Sequence, residues 1–181
     1  EIKRRVEYLV LDMHFSDTWA APGHQLTPDA WRGLDYEQLR KRVRGYAKRV
    51  MLAFRKASAT PDMVMVGNEI NQGMLWPQGR LWVRGRPRWS RLAGLLRAAT
   101  AGIDAGSGGR RPAIMLQVAY FPAPPHAWTF LQNLISRGVR FDVVGYDYYP
   151  YWLGPLPHLR PRLTRLAERI HKRVIVAETA Y

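Results

Sequence analysis

The 181-residue sequence predicts a parallel α/β fold, because short apolar runs alternate along the chain with longer segments of helical periodicity. Each run is nearly continuous in apolar residues, as expected of a strand that is covered on both faces. The predicted strands are residues 8–13, 63–68, 113–118, 141–146 and 174–177.

Between these strands the sequence predicts crossover helices, because apolar residues recur at steps of three and four and so share one stripe of a helix. The stripes are Leu39, Val43, Tyr46, Val50 and Phe54 in the first helix; Leu92, Leu95, Ala99 and Ile103 in the second; Trp128, Leu131 and Leu134 in the third; and Leu159, Leu163, Leu166 and Ile170 in the fourth. Pro161 fits the fourth helix only in its first turn. Each helix is expected to be a right-handed crossover.

The segments that follow the strands are long and aromatic, whereas those that enter the strands are short. The long segments are residues 14–34, 70–89, 119–128 and 147–157. In a (β/α)8 barrel the chemistry lies on the loops after the strands, so this asymmetry favours a barrel with one functional face. A doubly wound sheet would also bind ligands there, but no Gly-rich phosphate turn follows the first strand.

The net charge of +14 is compatible with a polyanionic partner, since clustered basic residues release counterions from phosphates. The basic residues are instead spread over segments 40–49, 84–91 and 160–173, mostly between the apolar positions of predicted helices. This pattern is typical of solvated outer faces, so no nucleic-acid partner is predicted.

Length and a hydrophobic content of 47% predict a single domain over residues 1–181. No apolar run of about 18 residues is present, and residues 1–7 lack the apolar core of a signal peptide, so no membrane partner is predicted. The absence of cysteine excludes disulfides, thiolate metal sites and cysteine nucleophiles, but it leaves the compartment open.

Two glutamates stand directly after apolar runs. Glu69 follows Val-Met-Val-Gly-Asn and Glu178 follows Val-Ile-Val-Ala, so both carboxylates are expected at the same rim of the sheet. Retaining glycoside hydrolysis requires two carboxyl groups about 5–5.5 Å apart. The alternative is that each glutamate forms a salt bridge at the rim.

Four segments carry a resemblance that extends along the whole chain. They are LDMHFSDTWA at 11–20, VGNEI at 66–70 with GMLWP at 73–77, DVVG at 142–145 with YYPYW at 148–152, and VAETAY at 176–181. In this order they resemble glycoside hydrolase family 53, the endo-β-1,4-galactanases. The resemblance implies an incomplete (β/α)8 TIM barrel that covers strands three to seven, with strands one, two and eight outside the chain.

The resemblance also implies roles for the two glutamates. Glu69 is expected to be the acid/base on strand four and Glu178 the nucleophile on strand seven. Glu69 should then have a raised pKa, whereas Glu178 should be held ionised by hydrogen-bond donors. The amide of Asn68 is expected to hold a sugar hydroxyl near the anomeric centre.

By the same resemblance, His14 and Asp17 are expected in the floor of the pocket, although His14 can also be a satisfied rim histidine. Flat faces suited to sugar rings are expected from Trp19, Trp76, Tyr148, Tyr149 and Trp152. Among these we favour Trp76 and Trp152 as subsite platforms, and one of the two tyrosines as the group that positions Glu178. Core packing is the alternative role for any of these aromatic residues.

Neither a metal nor a cofactor is predicted, because the histidines show no spacing typical of metal ligands. They are His14, His24, His126, His158 and His171.

At two positions the chain departs from the pattern that it resembles. The fifth strand ends in Leu-Gln-Val-Ala-Tyr at 116–120, where the family usually has a histidine and an acidic or glycine-containing turn, and Asp147 stands where a small polar residue precedes Tyr148 and Tyr149. If Asp147 lies near the catalytic pair, a third carboxylate would raise the pKa values of its neighbours.

The predicted function is therefore retaining hydrolysis of β-1,4-galactan or type I arabinogalactan, side chains of pectin, by an enzyme that is monomeric in its full-length form and secreted. Two alternatives remain: a sugar-binding or inactive remnant, and a related retaining glycanase with another polysaccharide substrate. The 181-residue chain alone is expected to be unstable or to aggregate, since an incomplete barrel exposes its sheet edges.

Overall fold

The computed structural model describes residues 5–119 and 127–180, which are built around a five-stranded parallel sheet. The strands lie side by side in chain order, and a short antiparallel hairpin lies apart from the sheet. The sheet strands are β1 (Val10–Met13), β2 (Met63–Val66), β5 (Ala113–Val118), β6 (Val143–Asp147) and β7 (Arg173–Glu178), and the hairpin strands are β3 (Trp82–Val83) and β4 (Arg86–Pro87).

The predicted parallel sheet is confirmed, with strand bounds within two residues of those expected. The hairpin was not predicted, because strands of two residues are too short to show a periodic pattern.

The four predicted helices are also present. They are α1 (Tyr36–Lys56), α2 (Trp89–Gly106), α3 (Ala127–Ile135) and α5 (Leu159–Ile170). A single helical turn, α4 (Pro150–Leu153), lies between β6 and α5. Pro161 lies in the first turn of α5, where a proline costs no hydrogen bond.

Helix α1 begins with a capping box: Asp35 accepts the backbone N–H of Gln38 at 2.8 Å, and the Gln38 side chain accepts that of Asp35 at 3.0 Å. Its buried stripe differs in part from the prediction. The fully buried residues are Leu39, Val43, Ala47 and Met51. Tyr46 is 37% exposed, because a strict four-residue step places it beside the stripe.

The helices cover one face of the sheet, where the main core lies. The opposite face carries a smaller cluster, made by Met63, Met65, Met115 and Val143. Since side chains alternate between faces along a strand, the residues that continue this second face toward the carboxyl ends of β5 and β6 are Gln117, Gly145 and Asp147. The fold thus places polar residues directly above an apolar layer.

The two edges of the described sheet expose apolar side chains. Val10 on β1 is 44% exposed, and Ile175 and Val176 on β7 are 39% and 37% exposed. An edge strand also presents unpaired backbone groups to solvent. Within the described residues, no helix is long and apolar enough to cross a bilayer.

We therefore expect the 181-residue polypeptide, expressed alone, to self-associate through β1 and β7. Size-exclusion chromatography should show oligomers or aggregate, and thermal unfolding should lack a single sharp transition. A monomeric elution profile with a cooperative transition would contradict this expectation.

Candidate active site

Three carboxyl groups meet at the carboxyl ends of the strands. Glu69 lies in the turn after β2, and Asp147 and Glu178 are the last residues of β6 and β7. One carboxyl oxygen from each of the three residues lies within 4.8 Å of the corresponding oxygens of the other two residues, so the three oxygens form one cluster. The structure thus brings Glu69 and Glu178 together and adds Asp147 between them.

A strained turn presents Glu69. Gly67 and Glu69 have φ values of 78° and 46°, in the left-handed region. A Cβ atom at Gly67 would lie 2.6 Å from Cγ2 of Ile70, so only glycine fits there. Gln25 holds the turn, because its Nε2 donates to the carbonyl oxygens of Asn68 at 2.7 Å and Glu69 at 3.3 Å. Strain of this kind is common at functional sites.

A β-bulge brings Glu178 to the same face as Asp147. The register shifts after Tyr146, so that Asp147 pairs with Glu178 and Ala177 is the extra residue. Since side chains alternate between faces, skipping one residue moves Glu178 beside Asp147. The backbone N–H of Tyr148 donates to the Glu178 carbonyl oxygen at 2.9 Å and fixes this register.

The side chain of Gln117 binds all three acidic residues. Its Nε2 donates to Oδ1 of Asp147 at 2.8 Å and to Oε1 of Glu178 at 2.5 Å, and its Oε1 accepts the backbone N–H of Glu69 at 3.3 Å. Gln117 is completely buried, and Gly145 lies opposite it on β6. A single amide therefore joins the ends of three strands.

Tyr149 is the tyrosine that contacts Glu178. Its hydroxyl donates to Oε2 of Glu178 at 2.8 Å, and this hydrogen bond is the main cause that raises the pKa of Tyr149. The hydroxyl of Tyr148 instead donates to the carbonyl oxygen of Gly154. Both oxygens of Glu178 thus accept protein hydrogen bonds.

Burial raises the pKa of Asp147 to about 8, against the opposing effect of its hydrogen bond from Gln117. The negative charge of Glu178 and the contact with Glu69 raise it further. Burial also raises the pKa of Glu69, although the hydrogen bond with Asp147 lowers it. The direction for Glu69 is the one expected of a general acid.

Oxygen atoms from three carboxyl groups are also the ligands that a hard cation such as Ca²⁺ accepts. Such an ion would compete with the Gln117 amide and the Tyr149 hydroxyl, which already donate to Asp147 and Glu178. The arrangement therefore favours a hydrogen-bonded lattice over a metal site.

His14 lies at the end of β1, close to the three carboxyl groups. Its Nε2 is 2.7 Å from Oδ2 of Asp12, and its ring meets that of Trp19 edge-on at 5.2 Å. The charge of His14 lowers the pKa values of Asp12 and Glu69, whereas burial raises both. His14 is thus hydrogen-bonded at the rim and also acts electrostatically on the site.

Asp17 and Asn68 make contacts within the chain. Oδ2 of Asp17 accepts the backbone N–H of Asp29 at 2.8 Å, and Nδ2 of Asn68 donates to the carbonyl oxygen of Ala20 at 2.7 Å. Asn68 is 1% exposed, and its Oδ1 has no hydrogen-bond partner in the described part of the chain. Sugar contacts by either residue stay predictions.

The aromatic residues differ in exposure. Trp19 and Trp152 are 70% and 74% exposed, and the ring of Trp152 packs against Tyr149 at 5.4 Å. Trp76 is half-buried, and the Arg80 guanidinium lies 4.5 Å from the centre of its ring. Tyr148 is almost fully buried, so it packs in the core and is not a platform.

Sequence reasoning did not identify Gln117, Gln25 or Asn71 as structural supports of the site. Asn71 exchanges hydrogen bonds with the backbone of Ala119, accepting at 2.9 Å and donating at 3.0 Å. The sequence did contain an indication for Gln117, because a long polar residue inside an apolar strand must form hydrogen bonds when it is buried.

Parallel strands covered by helices, with two glutamates at the ends of two strands, are typical of (β/α)8-barrel glycoside hydrolases. The model of glycosyl hydrolase family 53 matches residues 3–181. The chain belongs to this family.

Three relatives illustrate the similarity. The chain is 38% identical to an uncharacterised protein of Niallia circulans, over 99% of this chain and 50% of that protein. It is 34% identical to an arabinogalactan endo-β-1,4-galactanase of Cellvibrio japonicus, over 95% of this chain and 46% of that enzyme. The structure of the family 53 catalytic domain of Ignisphaera aggregans matches with a TM-score of 0.89 and 35% identity, covering 99% of this chain and 48% of that domain.

The chain spans about half the length of the curated relatives that it matches. Its five parallel strands and their helices correspond to part of the barrel of these neighbours, so the predicted incomplete barrel is confirmed.

We expect Asp147→Asn to change how stability depends on pH. Asp147 binds a proton up to about pH 8 in the folded protein, but only up to its ordinary value of 3.8 when unfolded. The stabilisation by this proton is complete below about pH 4 and is lost as the pH rises toward 8. Over this range the free energy of unfolding that Asp147 contributes falls by at most about 1.4 kcal/mol per pH unit.

The free energy of unfolding of the wild type minus that of the variant should therefore fall between pH 4 and pH 8. Urea unfolding of the complete gene product that contains this chain measures it. A difference that stays constant over this range would show that Asp147 ionises normally.

Proposed function

We propose that the protein containing this chain is a retaining endo-β-1,4-galactanase that acts on β-1,4-galactan or type I arabinogalactan. The observation that carries the proposal is the separation of Glu69 and Glu178, whose nearest carboxyl oxygens lie within 4.8 Å. Retaining enzymes place these groups about 5–5.5 Å apart, and inverting enzymes about 6.5–9.5 Å apart. The substrate class is supported by the name of the Cellvibrio japonicus relative.

In the first step, Glu178 attacks the anomeric carbon while Glu69 gives its proton to the glycosidic oxygen. The bond between that carbon and the leaving oxygen breaks, and a glycosyl ester of Glu178 forms. The donors from Gln117 and Tyr149 hold both oxygens of Glu178, so the attacking carboxylate has a fixed orientation.

In the second step, Glu69 accepts a proton from water as the water oxygen bonds to the anomeric carbon. The ester bond to Glu178 breaks, and the sugar leaves with its original configuration. The raised pKa of Glu69 suits both steps, because an acid/base works best when its pKa is near the working pH.

The exposed rings of Trp19 and Trp152 flank the site and would stack on sugar rings, with Trp76 as a further platform. We also propose that the enzyme is secreted, because a polysaccharide substrate is hydrolysed outside the cell. We further propose that the enzyme works as a monomer.

Replacing either glutamate should abolish useful activity. We expect Glu69→Ala and Glu178→Ala to lower galactan hydrolysis by at least about 10³-fold, since each removes a group that reacts in the transition state. Reducing-sugar release by the complete gene product measures this. Unchanged activity in either variant would contradict the assignment.

Azide distinguishes the two roles. In Glu178→Ala it can enter the space left by the nucleophile and yield an α-glycosyl azide, whereas in Glu69→Ala it should attack the glycosyl ester and yield a β-glycosyl azide. The opposite pairing of variants and anomers would reverse the roles.

Tyr149→Phe should lower kcat by about 10- to 100-fold, because a hydrogen bond to a charged group contributes about 1.5–3 kcal/mol. Tyr148→Phe is the matched control, since its hydroxyl donates to a carbonyl oxygen away from Glu178. Equal losses in the two variants would indicate a general effect on folding.

Specificity for galactan is tested by a panel of galactan, mannan, xylan and cellulose. Preferred cleavage of another polymer would identify a related glycanase. Retention on galactan in affinity electrophoresis without hydrolysis would identify a sugar-binding remnant.

A further inference from the structure

The carboxyl group of Asp147 has too few hydrogen-bond donors to be buried as an anion. Its side chain is almost fully buried, with the residue only 2% exposed. Oδ1 accepts the hydrogen bond from Gln117, but Oδ2 is buried without a hydrogen-bond donor in the described part of the chain. An ionised carboxylate in this position would leave a charged oxygen unsatisfied, which costs more than keeping the group neutral.

Glu69 is the acidic neighbour that can share a hydrogen bond with this group, because one of its carboxyl oxygens lies within 4.8 Å of an oxygen of Asp147 and the contact raises the pKa of Asp147. Two carboxyl groups can form such a bond only if one of them carries a proton. Glu178 differs from both, because each of its oxygens already accepts a donor, from Gln117 and from Tyr149. The distribution of donors thus places the negative charge on Glu178 and a proton between Asp147 and Glu69.

We propose that Asp147 is held as a carboxylic acid whose O–H donates to the Glu69 carboxyl group, and that it is a positioning residue for the acid/base. The proposal rests on the function proposed above. When Glu69 has given its proton to the leaving oxygen, the O–H of Asp147 stabilises the Glu69 carboxylate. When Glu69 takes a proton from water in the second step, this bond relaxes, and Asp147 keeps its own proton throughout.

The geometry that makes this possible is specific. The bulge at Ala177 puts Asp147 and Glu178 on one face, and the Gln117 amide fixes Oδ1 of Asp147, so that Oδ2 remains for a second partner. Asp147 and the segment that contains Gln117 are the two places where the sequence was expected to depart from the pattern that it resembles. The two departures form one hydrogen-bonded pair.

In the described part of the chain, charged and titratable groups on several elements surround Asp147 and Glu69. Glu178 on β7 raises the pKa values of both Asp147 and Glu69, and His14 at the end of β1 lowers that of Glu69. Asp12 pairs with His14, and the charge of Glu178 raises the pKa of Asp12; Tyr149 donates to Glu178. The hydrogen bond from Asp147 and the charge of His14 thus lower the pKa of Glu69, against burial and the charge of Glu178, which raise it.

The test compares Asp147→Asn with Asp142→Asn in the complete gene product. Asparagine resembles a protonated aspartate, since its Oδ1 can accept from Gln117 and its Nδ2 can donate to Glu69. Asp142 directly precedes β6, at the opposite end of the strand, where it accepts the backbone N–H of Ile114, so its replacement removes the same charge away from the site.

With galactan as substrate, Asp147→Asn should keep kcat/KM within about 3-fold of the wild type near pH 5. The alkaline limb of its pH profile should stay within about 0.3 pH unit of the wild type, because the asparagine amide still donates to Glu69, whereas Asp147→Leu, which has no donor, should move the limb to higher pH. Asp142→Asn should leave the limb in place. A downward shift of the limb in Asp147→Asn, which is expected if wild-type Asp147 is an anion that raises the pKa of Glu69, would overturn the proposal, as would an unmoved limb in Asp147→Leu.

A second measurement needs no substrate. In protein with ¹³C-labelled carboxyl groups, the Asp147 resonance, assigned by its absence in Asp147→Asn, should remain that of a protonated acid at pH 6. An ionised Asp147 at pH 6 would overturn the shared proton whatever the galactan assay gives. A protonated Asp147 in a protein that does not cleave galactan would instead support the hydrogen bond and count against the proposed function alone.

Discussion

The side-chain amide of Gln117 is the interaction on which the site depends. It donates to Asp147 and Glu178 and accepts from the backbone of Glu69, so it sets the relative positions of three carboxyl-bearing residues on three different strands. Without the amide, two neighbouring carboxyl groups would each lose a donor, at about 1–3 kcal/mol for each unsatisfied buried group. The carboxyl groups of Asp147 and Glu178 would then no longer be held in the relative positions that the proposed reaction needs.

The packing around Gln117 and the backbone of the neighbouring strands position this amide. An apolar layer that includes Met65, Met115 and Val143 underlies the polar residues. Gly145 lies opposite Gln117, and a Cβ atom there would lie 3.0 Å from both Cβ of Ala177 and Sδ of Met115, so the glycine allows close packing at this point. The bulge in β7 and the left-handed turn at Glu69 then direct the carboxyl groups toward one another. The local irregularities thus occur at the carboxyl ends of the strands, and the regular strands below provide rigidity.

Much of this architecture could be predicted from the sequence, because strands covered by helices leave an unbroken apolar pattern and crossover helices leave an apolar stripe. The two glutamates could be found for the same reason, since each directly follows such a run. The role of Gln117 could not be predicted, because its three partners are 30 to 61 residues away in the chain.

The bulge at Ala177 could not be predicted either, since nothing in Val-Ile-Val-Ala-Glu indicates a shift of register. The choice between Tyr148 and Tyr149 also depended on three-dimensional structure: adjacent residues of an extended chain point to opposite sides, and the sequence does not show which side faces Glu178.

The central claim is that Glu69 and Glu178 are spaced for double displacement. The most direct measurement is ¹H NMR of galactan hydrolysis by the complete gene product, followed from the first minutes, before the new reducing ends mutarotate. The spacing predicts that the β-anomer appears first and that the α-anomer grows in only later. Initial appearance of the α-anomer would mean inversion and would contradict the account.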